Sequence, residues 1–314
     1  MVLQVSSLRI LHNRAGGKMV GHEIRRALQS IEDLPALPVV MTRVLEVVGD
    51  SGSSAKTLSD IISYDQAITA RVLRLANSAL YGFPREITTV HQAVVMLGFN
   101  TIRNLVMGIS VYGALSMKSI SKTGFDRREF WIHSVGSAIA AKLIAKEAGF
   151  NDIETPFAAG LLHDIGRIVL DCYFHEEYEA VLKRAVEEDV PLSALEQEIL
   201  EIDHAEVGGW LADRWLFPPP LINAIMYHHN LAATEAEFVD LTAITCLANA
   251  LTKQEGIGLT YSVEEALMVR LAERWLQDLG LSQSRLAAIR TKLNEEREAI
   301  EDFFLGLSGY RAVG

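Results

Sequence analysis

Cysteine is nearly missing from this chain: Cys172 and Cys246 are the two present among 314 residues. That is too few for a disulfide framework or a cysteine-clustered zinc site. Both stand in apolar runs, so both are expected to be buried small hydrophobes. No stretch reaches the roughly 18 uninterrupted apolar residues that a membrane span needs. The opening Met1-Val2-Leu3-Gln4-Val5 lacks a basic region leading into a hydrophobic core, so it does not read as a secretory signal and a cytoplasmic location is expected. Positive charge is also short, with 29 Lys and Arg against 40 Asp and Glu and a net charge of −11. This argues against nonspecific nucleic-acid binding, which rests on Lys and Arg neutralising phosphates. It leaves room for a small anionic ligand held by a few local arginines. A Gly-rich phosphate loop, a serine-hydrolase elbow and a basic arm are likewise missing.

Strand-like alternation is absent too, and what fills the chain is helix after short helix. Residues 1 to about 20 show weak periodicity and read as a loose leader. A helix is expected from Gly21 until Leu34-Pro35-Ala36-Leu37-Pro38 stops it, because each proline removes a donor and disfavours helix in the residue before it. The pattern then predicts a helix over Val39 to Val48. Leu58, Ile61 and Ile62 form one apolar face, Ile68 to Leu75 another, and Val94 to Leu97 and Ile102 to Ile109 follow. Short breaks make sequential helices neighbours, so the expected fold is all-α, a two-lobed helical bundle. Ser116 to Phe125 is the best internal boundary. An acid-rich helix pair is expected around Val190-Pro191, and a charged helix over Leu286 to Leu305. Ser262-Val263-Glu264-Glu265 reads as a helix start, with Val263, Leu267, Val269, Leu271 and Leu276 supplying apolar faces to an added helical lobe or a dimer surface.

Chemistry concentrates in Gly160-Leu161-Leu162-His163-Asp164-Ile165-Gly166-Arg167. Neighbouring residues on a helix point about 100° apart and still lean toward one shared point. A metal ion is such a point: imidazole nitrogen and carboxylate oxygen suit zinc, iron or manganese, and the two oxygens of one carboxylate are enough to bridge two ions. The alternative is a satisfied polar pair under a helical core. Thr155-Pro156 is expected to cap and open this helix. Gly160 and Gly166 each cost about 1 kcal/mol of helix stability relative to alanine, in exchange for space beside the pair or for close helix packing. Arg167 is expected in a surface salt bridge, with a phosphate contact as the alternative. Small residues at 136, 137, 138, 140 and 141 mark a closely packed helix that carries His133.

Three ordered stretches carry a resemblance. Leu34-Pro35-Ala36-Leu37-Pro38, then Ile62-Ser63-Tyr64-Asp65-Gln66-Ala67-Ile68-Thr69-Ala70-Arg71-Val72-Leu73-Arg74-Leu75-Ala76-Asn77-Ser78, then Ile87-Thr88-Thr89-Val90-His91-Gln92-Ala93-Val94-Val95-Met96-Leu97-Gly98 resemble the HDOD family across roughly residues 22 to 250. These are helical output modules of bacterial signalling proteins, related to the HD metal-dependent phosphohydrolases. The resemblance implies a leader over 1–21, an N-terminal helical lobe over 22–118, an HD-like lobe over 119–254 and a C-terminal extension over 255–314. Asp65, Arg71, Arg74, Asn77, Tyr81 and Arg103 are candidates for contacting a ligand or partner, although Asp65 also suits a helix start.

The order His133, His163, Asp164, His204, His228 and His229 resembles the metal-holding set of the HD phosphohydrolases, especially their HD-GYP branch. It implies one or two divalent ions, iron, manganese or zinc. If the chain were an enzyme, His163, Asp164 and His204 would be catalytic, with a metal-activated water attacking a phosphoester and His204 or His229 moving a proton. Two features depart from that pattern. Asn249 stands where a final aspartate is expected, and an amide is a poorer ligand that cannot offset the metal's charge. After His228-His229 the chain continues Asn230-Leu231-Ala232 with no Gly-Tyr-Pro, so the cyclic-dinucleotide signature is missing. The expected function is therefore a signal-transduction output module with a vestigial or structural metal site, binding a signalling protein or a small phosphorylated ligand, with a homodimer as one expected assembly. The alternative is a metal-dependent phosphohydrolase acting on a nucleotide or cyclic dinucleotide.

Overall fold

Prolines and short polar breaks cut most of the chain into helices too short to stand alone, so each must bury a face against a neighbour. A computed structural model of the chain describes Ile24, Arg26 and residues 36–48, 54–116, 124–188, 190–258, 266–278 and 280–309. The described residues are all-α, with no strand. None of their helices is long and apolar enough to cross a membrane. The leader, the helix expected from Gly21, residues 117–123 and the start expected at 262–265 lie outside the described residues, as do Val263 and the side chains of Leu267, Val269 and Leu271.

The first group contains α1 (Val39–Val48), α2 (Ala55–Ser63), α3 (Gln66–Ala76), α4 (Val90–Leu97) and α5 (Phe99–Ser116), which pack on one another. Asp65 is a helix-start residue: its carboxylate accepts from the Ala67 and Ile68 N–H groups at 2.9 and 3.0 Å. Asn77 clamps the following loop, with Nδ2 donating to the Ile87 carbonyl and Oδ1 accepting from the Ile87 N–H.

The second group begins with α6 (Arg127–Glu147), capped by Asp126, and continues through α7 (Glu154–Leu162), α8 (Ile165–Tyr173), α9 (His175–Glu188) and α10 (Leu192–Leu200). It closes with α11 (His204–Arg214), α12 (Pro219–Tyr227) and α13 (Val239–Gln254). The acid-rich pair around Val190-Pro191 is α9 and α10. The central helix is α6, packed on α7 and α13. A Cβ at Gly136 would meet Thr252 and Ile257, so the small residues on α6 do admit close neighbours.

The last three helices are α14 (Ala266–Asp278), α15 (Gln283–Glu295) and α16 (Arg297–Ser308). The single charged helix expected over 286–305 is two helices, with Glu296 between them. The break lets α15 lie along α6 while α16 packs on α3, α5 and α6, burying Ile300, Phe303 and Leu307. Two further expectations are corrected. Cys172 is only half-buried, whereas Cys246 is buried. The helix before His163 starts at Glu154, and its first N–H groups are held by Asp152, whose Oδ1 accepts from Glu154 and Thr155 at 3.0 and 3.1 Å. Thr155 lies inside the first turn instead of capping it, while Pro156 sits in the first turn as expected.

Candidate metal centre

His163 and Asp164 do not share one helix. α7 ends at Leu162, His163 follows it, and Asp164 (φ −98°, ψ 7°) precedes α8. The flanking glycines explain the break. A Cβ on Gly160 would fall on the backbone of Ser137 and Ala138 in α6, and one on Gly166 on the backbone of His204 and Gly208 in α11. Each helix is thus pressed against a different partner, and the axis must turn between them. Close packing, not empty space beside the pair, is what these glycines serve.

Three other element ends or faces converge there. His133 comes from the second turn of α6, His204 is the first residue of α11, and His228 and His229 directly follow α12. His133, His163, Asp164, His204 and His228 are all nearly fully buried, and His229 is half-buried. Asp164 Oδ1 lies 3.0 Å from His204 Nε2, 3.4 Å from His163 Nε2 and 3.5 Å from His228 Nε2. His133 Nε2 is 3.9 Å from Asp164 Oδ2, and His229 Nε2 is 3.0 Å from His204 Nε2. Two overlapping sets of donor atoms result, Asp164 with His204, His228 and His229, and Asp164 with His133 and His163.

Hydrogen bonds fix how these rings present themselves. His163 Nδ1 lies 2.8 Å from the Gly160 carbonyl and His228 Nδ1 lies 2.7 Å from the Ile225 carbonyl. A carbonyl can only accept, so both Nδ1 atoms carry the proton. Burial holds His163 neutral, its pKa well below the ordinary 6.5 despite Asp164. On a neutral ring with Nδ1 protonated, as in His163, Nε2 carries a lone pair, and this atom is buried without a hydrogen bond, as is Nε2 of His228. Lone pairs aimed at a carboxylate oxygen repel unless a cation lies among them. The donor set therefore fits a divalent transition metal, and this buried cluster could hold one.

The surroundings set the charge. Glu196 Oε2 accepts from the His204 N–H at 2.9 Å and meets His204 Nδ1 at 2.5 Å. Burial pulls the His204 pKa down, but Glu196 and Asp164 outweigh it and carry the group up to about 10. In the metal-free protein the extra proton on His204 thus supplies the positive charge beside Asp164. Arg167 is not on the surface as expected. It is buried, its Nη1 donating to Asp164 Oδ2 at 3.0 Å, with its guanidinium 5.6 Å from the Phe125 ring centre. Burial raises the Asp164 pKa, but His163, His204 and Arg167 overcome that and hold it well below the usual carboxylate range. Asn249 does lie in the site, its Oδ1 at 3.0 Å from His133 Nε2.

Glu196 and Arg167 are the site residues that sequence reasoning missed or misplaced. Glu196 had a signal: with Leu192, Leu195 and Leu200 it falls on the apolar face of α10, at spacings of three and four. An acid on that face requires a buried partner.

An all-helical protein with this buried His/Asp cluster has the architecture of the HD-related proteins. The HDOD domain family model matches residues 34–231, and the chain belongs to the HDOD family. Among solved structures, an HDOD domain protein of Geobacter sulfurreducens is similar at 26% identity and TM-score 0.77, over 90% of this chain and 97% of that one. A candidate phosphohydrolase of Shewanella amazonensis is similar at 29% identity and TM-score 0.69, over 89% of this chain and 97% of that one. Ribonuclease Y of Campylobacter concisus is 26% identical over 278 residues, 86% of this chain and 46% of that protein. The chain spans less than half the length of the first curated relatives it matches.

Proposed function

We propose that this chain is a regulatory output module of bacterial signal transduction that holds one divalent transition metal at Asp164 and acts by binding a partner. The observation that carries this reading is the convergence of His163 Nε2, His204 Nε2 and His228 Nε2 on Asp164 Oδ1. The other oxygen of Asp164 is engaged by Arg167, so the carboxylate is poorly placed to bridge two ions. His133, which completes the second set of donor atoms, faces an amide where a carboxylate would favour a second cation. His163, His204 and His228 would be the ligands with Asp164, and His229 lies at the half-buried side of the cluster. Such a centre ties the ends of α7, α8, α11 and α12 together, which suits a structural ion.

The expected result is retention of metal through purification with no turnover above background on nucleotides, cyclic dinucleotides or RNA in the presence of manganese. The second reading is a metal-dependent phosphohydrolase, favoured by the donor set itself and by the similarity to Ribonuclease Y and a candidate phosphohydrolase. Turnover that disappears in both His163→Ala and Asp164→Ala would replace the first reading with the second.

A further inference from the structure

Outside the metal centre, a cavity of about 480 Å³ opens between the end of α5, the start of α6 and α16. That volume lies within the range of small-molecule sites, roughly 300–1,000 Å³. Its walls include three aromatic rings: Tyr112 and Trp131 lie 5.1 Å apart at a tilt of 53°, and α16 adds Phe304. The guanidinium of Arg128 lies 5.8 Å from the Phe304 ring centre and is tied to Glu129 and Glu301, so this wall presents charge that is already balanced. Arg127, on the same wall, is anchored by Asp171 at 2.7 Å.

One polar group is unaccounted for. Trp131 is 2% exposed, yet its indole N–H donates to no group among the described residues. Its ring lines the cavity. A buried donor left unbonded costs about 1–3 kcal/mol, and a ligand acceptor placed there recovers it.

We infer that this cavity is a binding site for a planar aromatic molecule carrying one hydrogen-bond acceptor. The ring stacks among Tyr112, Trp131 and Phe304, and the acceptor takes the Trp131 N–H. Flat rings suit this wall because offset and edge contacts between aromatic groups add to simple area burial. Exposed Ser116 and half-buried Leu305 also line the cavity, so a larger side chain at either narrows it. Trp131 is two residues from His133 on α6, but the site shares no donor atom with the metal centre and does not depend on the proposed function.

The probe is 8-anilinonaphthalene-1-sulfonate, an aromatic molecule with a sulfonate acceptor, titrated into the 314-residue chain and followed by its fluorescence. Saturable binding at a single site is expected. Ser116→Trp, which fills the cavity from an exposed position, should weaken it at least about tenfold. Trp131→Phe keeps a ring and removes the donor, and a loss of roughly 3–10-fold follows from one hydrogen bond. Leu305→Trp serves as a second filling variant should Ser116→Trp lose its helical circular dichroism. No saturable binding, or binding unchanged in a folded filling variant, overturns the site. Equal affinity in folded Trp131→Phe overturns the role assigned to the N–H.

Discussion

Asp164 is the residue on which every charge in the centre acts, and its two oxygens have different partners. Arg167 engages Oδ2 at 3.0 Å with both side chains buried. Removing one member of a buried ion pair leaves an uncompensated charge, so Arg167→Met is expected to destabilise the metal-free protein by about 3–5 kcal/mol, read from urea denaturation. Glu196 acts one bond further out, orienting His204 through Nδ1. Loss of such an outer carboxylate typically lowers metal affinity about 10–100-fold, and chelator competition on Glu196→Gln measures it. Affinity equal to the native protein would separate Glu196 from the metal. The histidines and Asp164 were legible in the sequence because residue types and order suffice to nominate them. Arg167 was misjudged because arginine is ordinarily exposed and its apolar neighbours were not weighed against that, and Glu196 was overlooked because the acid-rich composition of its segment obscured its place on the apolar face.

At the scale of elements, glycine decides where helices turn. Alanine is favoured over glycine inside a helix by about 1 kcal/mol, so Gly166→Ala would stabilise an isolated α8. Here the added methyl meets the backbone of α11 at His204 and Gly208, and overpacking of that kind costs about 1–3 kcal/mol. The second effect wins where the obstacle is backbone that cannot step aside. Gly166→Ala and Gly160→Ala are therefore expected to unfold at lower urea concentration than the native chain, and a higher midpoint in either would contradict the packing described. Periodicity found most helices because apolar faces repeat regardless of partner. It missed the break at His163 and the one at Glu296 because both follow from which neighbour each half packs against, a tertiary matter.

Across the whole molecule, the family was readable from three ordered motifs and the all-α fold from helical periodicity, while the packing of α16 on α3, α5 and α6 was not, since nothing local encodes it. The buried histidines also impose a pH profile on the metal-free protein. Burial, opposed by Asp164, pushes His133 down to about 4 from 6.5, so its contribution is complete above 6.5 and is lost as pH falls toward 4. His204 runs the other way. Its pKa near 10 means that its contribution is complete below 6.5 and is lost as pH rises toward 10. Stability of the metal-free protein should therefore peak near pH 6.5, measured by thermal unfolding across that window, and His133→Gln should flatten the acid side.

The central claim is that one transition metal occupies the space among His163, His204, His228 and Asp164. Elemental analysis of the chain purified without added metal tests it most directly. The native protein should carry about one equivalent of iron, manganese or zinc, and folded His163→Ala and His228→Ala should lose most of it. Less than about a tenth of an equivalent in the native protein, or equal content in the two variants, would contradict the account.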